Sequence, residues 1–255
     1  MENWILFPVG IAIATIASML GIGGGIVWVP FLILVMDMEP KKAIMLSFFI
    51  QAVGMGSAVF TFVRKGLVFY SLAFSLLPFL FIGLFSGAFL SQRVADDQML
   101  KLALGIFSMA VAIYFAFQVE SYNVSFLTNR SIKAPNWLKA AGVFIGSVSG
   151  FLSIGVGDSI IPVLRTKLRM PMQNAVGTAL ILNFLVSIVG GGSHVFFGGH
   201  YSSDLLLLFG YGACGVFIGA QIGSNFSQRI QESRLKELFI FLLLMIGLHM
   251  IYSVL

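Results

Sequence analysis

"SMLGIGGGIVWVP" (residues 18–30) places four glycines within five positions and a proline five residues later, inside one of the most apolar stretches of the chain. Glycine weakens a helix and uncovers backbone polar groups, so a plain membrane-spanning helix should avoid such a cluster. Residues 5–36 as a single helix would be about 48 Å long, against a bilayer core of roughly 30 Å. The chain therefore has to break at the glycines and turn back, as a re-entrant hairpin or as two short spans. That reading decides the fold.

The wider composition agrees. Apolar residues make up 58% of the 255 residues and charged residues 10%, far from the roughly 45–50% and 25% of soluble chains. Several uncharged runs are long enough to cross a bilayer, so the expected class is an all-α polytopic membrane protein. The net charge of +5 is explained by loop lysines and arginines that orient such a protein, without any nucleic acid partner. The single cysteine, Cys214, lies in an apolar run and offers no disulfide framework. The opening MENWILFPVG has no basic segment and reads as the first membrane element and not as a cleaved leader.

The chain is also written twice. A shift of 132 lays "FLSIGVGDSIIP" (151–162) on the first motif, pairing Gly23 with Gly155, Gly25 with Gly157 and Pro30 with Pro162. The same shift pairs Gln51 with Asn183 and Gly66 with Gly198. With a shift of 136, "FIGLFSGAFLSQRV" (81–94) overlays "FIGAQIGSNFSQRI" (217–230). Each half then has five helical elements, at 4–20, 24–36, 41–63, 67–91 and 98–118, then 138–153, 158–168, 172–197, 203–226 and 234–254. The division is a first repeat (1–118), a polar linker (119–139) and a second repeat (140–255).

A broken first pair gives each half an odd number of crossings, so the halves have opposite orientation. One side then receives Arg64, Lys65, Arg130, Lys133, Lys139, Arg165, Lys167, Arg169, Arg229, Arg234 and Lys236, and the other only Lys41, Lys42, Arg93 and Lys101. The positive-inside rule puts both termini outside.

Inverted repeats with matching broken helices are the layout of secondary transporters. Helices restarting near Gly25 and Gly157 present free N–H groups and a positive dipole end, which together attract an anion. Gly23, Gly24, Gly25, Gly155 and Gly157 are thus candidates for binding a small anionic substrate. Asp158 and Ser159 are placed to cap the second restart. Ser47, Gln51, Thr178 and Asn183 stand on the following helices, the two amides as repeat mates, and are candidates beside the broken helices. Asp158 is an intramembrane carboxylate and so a proton-coupling candidate, with His194 a second one. The glycine pairs Gly83/Gly87, Gly146/Gly150 and Gly219/Gly223 read as helix packing. No metal site, cofactor or catalytic constellation is expected: His194 and His249 lack a second ligand at helical spacing, and His200 with Asp204 is too small a set.

G-x-G-G-G followed by proline, its echo in the second half and "NAVGTALILNF" (174–184) resemble the sulfite exporter TauE/SafE family of anion permeases, over nearly the whole chain. Leu46 stands where that family usually carries threonine, while Thr178 keeps it in the second copy. The resemblance implies export of sulfite, sulfoacetate or a related organosulfonate across the bacterial inner membrane. The expected function is alternating access with proton coupling, not enzymatic, and a homodimer is left open. The alternative is an anion channel or a carrier for another small carboxylate or oxyanion.

Overall fold

The computed structural model describes residues 3–20, 24–117, 133–198, 203–226 and 232–254. Among them the chain is all-α. A 3-10 turn (Asn3–Ile5) leads into α1 (Leu6–Leu20), then α2 (Gly25–Leu34), α3 (Pro40–Arg64) and α4 (Tyr70–Phe89), which ends in a π-helical turn (Leu90–Val94). α5 (Asp97–Phe117) closes the first half. The second half runs α6 (Asn136–Leu152), α7 (Val156–Thr166), α8 (Met172–Gly198), α9 (Ser203–Phe226) and α10 (Glu232–Tyr252). Residues 119–132 of the expected linker, and Gly23 in the first glycine motif, lie outside the described residues.

Local chemistry sets the ends. Pro40 opens α3, where its missing N–H costs nothing. Asp96 accepts the Met99 N–H at 2.7 Å and so caps α5. The first pair in each half is short, as expected of glycine-broken elements: α1 and α2 have 15 and 10 residues, α6 and α7 have 17 and 11.

The repeat reaches down to the backbone. α2 stops where Asp37 turns left-handed at φ 53°, and the Met38 N–H reaches back to the Leu32 carbonyl at 3.1 Å. α7 stops at the matching place, with Arg169 at φ 49° and the Met170 N–H on Leu164 at 3.0 Å. Non-glycine residues pay a steric penalty in that region, so two copies at one repeat position point to one shared turn.

Packing carries the same exchange. α1 lies along α9 as α6 lies along α4, α3 crosses α8, and α5 pairs with α10. The close approaches run over glycine. Gly83 and Gly87 sit against the backbone of Val143 and Ser147, Gly146 and Gly150 against Leu80 and Leu84, and Gly215, Gly219 and Gly223 against Phe7, Ile11 and Thr15. With little hydrophobic drive inside lipid, such backbone proximity is how membrane helices gain contact.

α3, α4 with its π turn, α5, α8 and α9 are long and apolar enough to cross a membrane. Large side chains such as Phe74, Ile82, Phe144, Phe196 and Phe217 point outward. That surface is far more apolar than water tolerates and suits lipid. Polar side chains turn inward, around the crossing of α3 and α8.

Candidate functional site

The start of α2 and the end of α6 meet in the buried interior. Gly24, left-handed at φ 68°, lets the chain enter α2, and its carbonyl takes the first helical bonds from Val27 and Trp28. The next residue, Gly25, lies so close to the Ser153 carbonyl that no Cβ fits between them. Ser153 ends α6, also left-handed at φ 57°. The C-terminal end of one broken helix thus presses on the N-terminal end of the other, with opposite dipole charges together.

Side chains of α3 clamp this contact. Gln51 donates from Nε2 to the Ser153 carbonyl at 3.1 Å and to its hydroxyl at 3.0 Å, and the Ser47 hydroxyl donates to the Ser153 Oγ at 2.7 Å. Gln51 and Ser47 share a face because they are four residues apart on a helix. Ser153 itself went unnoticed in the sequence. Its repeat mate is Gly21, so its glycine-like conformation was the signal available.

In the second half, Asn183 does the matching work on α7. Its Oδ1 accepts the Gly157 N–H at 3.1 Å, satisfying one of the free donors at the helix start. Asn183 is 1% exposed, and its Nδ2 has no hydrogen-bond partner among the described residues. The expectation that Asp158 and Ser159 cap this helix needs correction. α7 starts one residue before Gly157, Gly155 is the capping residue with no side-chain bond, and Asp158 is the third helical residue. Asp158 is 2% exposed there, in the first turn of the helix. Ser159 is half-buried in the same turn.

Two candidates lie elsewhere. Thr178 donates to the Asn174 carbonyl at 2.7 Å and accepts the Phe69 N–H at 3.1 Å, so it supports the start of α4. It precedes Asn183 by five residues, which rotates it well off the shared face. His194 is fully buried in α8, about 16 Å along the helix from Asn183. Its Nε2 lies 2.7 Å from the Gly150 carbonyl and its Nδ1 2.8 Å from Gln92 Nε2. A carbonyl only accepts and an amide NH₂ only donates, so both ring nitrogens are committed as in a neutral, packed imidazole. Gln92 stands on the π turn that ends α4, a feature with no sequence signature.

The centre therefore combines two helix N-termini, one carboxylate and side chains mostly committed to one another, with Asn183 Nδ2 the amide donor left without a partner among the described residues. Among the described residues no lysine or arginine is buried, and no cluster of His, Cys, Asp or Glu could hold a metal ion. Helix N-termini and amide donors are the groups from which anion sites are built.

The sequence profile described as Sulfite exporter TauE/SafE matches residues 6–250. A protein of Methanocaldococcus jannaschii named as a probable membrane transporter is 27% identical, over 97% of this chain and 94% of its own length. A Bacillus subtilis protein, likewise named a probable membrane transporter, is 25% identical over 99% of this chain and 98% of its own. No solved structure matches the chain.

Proposed function

The chain belongs to the sulfite exporter TauE/SafE family and is a multi-pass membrane transporter; from that premise we propose that it is a secondary carrier for a small sulfur-containing anion. Sulfite, sulfoacetate or a related organosulfonate is the cargo, exported across a bacterial inner membrane by alternating access with proton coupling. The two halves face opposite ways in the bilayer, with both termini outside.

One observation carries this reading. The start of α2 meets the end of α6 in the buried interior, with Gly25 against Ser153, and three residues beyond Ser153 α7 begins, with the Gly157 N–H held by Asn183. Irregular backbone at membrane depth is tolerated where protein buries it or where it lines a cavity for cargo. In transporters built from repeats, such crossings lie on the pseudo-symmetry axis and hold the substrate. The crossing binds the anion, and rocking of one repeat against the other opens it to each side. Asp158 is the group in reach that can gain and lose a proton as this happens.

Counterflow tests the proposal. Vesicles containing purified protein and excess unlabelled sulfoacetate should transiently concentrate external labelled sulfoacetate, with saturable initial rates. A channel gives flux without saturation or counterflow, and either result would remove the carrier reading.

A further inference from the structure

We propose that the anion is recognised on one side of the crossing only. The Asn183 amide, at the start of α7, donates from Nδ2 to an oxygen of the cargo, while its repeat mate Gln51 holds the fold and does not touch the cargo. On the carrier reading above, this names the residue that recognises the anion.

The repeat pairs Gln51 with Asn183, and a site built on the pseudo-symmetry axis would use both amides alike. The two are spent differently. A side-chain amide NH₂ carries two hydrogens to donate and accepts nothing. Gln51 Nε2 gives both, to the Ser153 carbonyl at 3.1 Å and to the Ser153 hydroxyl at 3.0 Å. These bonds tie α3 of the first half to the end of α6 in the second. Asn183 turns instead to its own half, where Oδ1 accepts the Gly157 N–H at 3.1 Å. That bond fixes which way the amide points, because only its oxygen can accept. Nδ2 is left without a partner, on a residue 1% exposed.

A buried donor left unmade is costly, and native proteins keep few of them. Since Nδ2 can only donate, what completes it is an acceptor. It stands on the amide bonded to the second residue of α7, an 11-residue helix whose first-turn N–H groups favour a negative oxygen as well. Asp158, in that first turn, has a partner of its own and leaves Nδ2 open. Ser47 is bonded to Ser153, and Thr178 to Asn174 and Phe69. A sulfite or sulfonate oxygen meets the requirement, and a hydrogen bond to a charged acceptor is the stronger kind. The anion therefore sits toward α7 and not midway between the repeat mates.

Isothermal titration of the full chain in nanodiscs with sulfoacetate tests this. Asn183→Asp keeps an acceptor for Gly157 and exchanges the donor for a second oxygen, while Asn183→Leu removes the donor without adding charge. Both should weaken binding about tenfold to hundredfold, the range for one hydrogen bond to a charged group. Gln51→Met, of similar length, gives up both bonds to Ser153. It should lower the melting point and change the affinity less than about threefold. Unchanged affinity in either Asn183 variant would mean that Nδ2 holds a buried water or nothing. That result, or a loss of about tenfold in Gln51→Met, overturns the one-sided site and leaves the carrier reading standing, because the wild type still binds. A wild type that binds neither sulfoacetate nor sulfite overturns both. Should neither Asn183 variant insert, Gln51→Met decides alone.

Discussion

Gly24 and Gly25 stand side by side at the start of α2 and are fixed for different reasons. Gly24 is left-handed with ordinary contacts around a would-be Cβ, the nearest being Ala17 at 3.4 Å. Alanine there costs backbone strain of about 1–2 kcal/mol. Gly25 has a helical backbone but faces the Ser153 carbonyl, and a Cβ would lie 2.5 Å from Gln51 Nε2. Alanine at that position must push two broken helices apart, an overpacking cost of about 1–3 kcal/mol and more where backbone cannot yield. Gly25→Ala should therefore lose anion binding while Gly24→Ala keeps it with a lowered melting point. Isothermal titration with sulfite and thermal unfolding in detergent separate the two effects. Equal affinity in both variants would show that the crossing is not the binding position.

At the scale of elements, the helix pairs α1–α9 and α4–α6 depend on glycines that allow backbone contact. Gly87→Ala would drive a methyl group into the Ser147 carbonyl on α6, whereas Gly192 on α8 has nothing within 4 Å. Gly87→Ala should destabilise by about 1–3 kcal/mol. Gly192→Ala should gain up to about 1 kcal/mol from helix propensity. Thermal unfolding of both variants checks the sign, which reverses if the α4–α6 contact is loose. These packing glycines were legible in the sequence, because spacing by four puts them on one helix face. So were the short first pairs and the mating of Gln51 with Asn183, since hydropathy and the repeat record both. What stayed hidden depends on one residue of phase or one turn of backbone. The start of α7 at Val156 moved Asp158 from a capping position to the third helical residue. Thr178 looked like a neighbour of Asn183 until five residues of helical rotation carried it to Phe69. Ser153 leaves one trace in the sequence, its repeat mate Gly21, while the clamps from Ser47 and Gln51 that hold it are tertiary contacts that sequence pattern does not record.

For the whole molecule, the orientation of the halves decides whether the crossing can be presented to both sides. The backbone repeat at Asp37 and Arg169 gives the two halves one local design, and the proposed topology sets them in opposite directions in the bilayer. On that arrangement the turn between α2 and α3 is external. The turn between α3 and α4 and the segment before α6 are internal, where Arg64, Lys65, Lys133 and Lys139 gather. Asp37, Gly66 and Lys133 are all exposed, so a cysteine at each can react without disturbing packing. The native Cys214 is exposed as well and has to be removed first. In Cys214→Ser cells, Asp37→Cys should react with an impermeant maleimide from outside, while Gly66→Cys and Lys133→Cys should react only after the membrane is opened. If Gly66→Cys and Asp37→Cys label from the same side, α3 does not cross, each half has an even number of spans, and the two helix starts cannot be related by inversion. The alternating exposure of one crossing would then lose its geometric basis, whatever anion the protein moves.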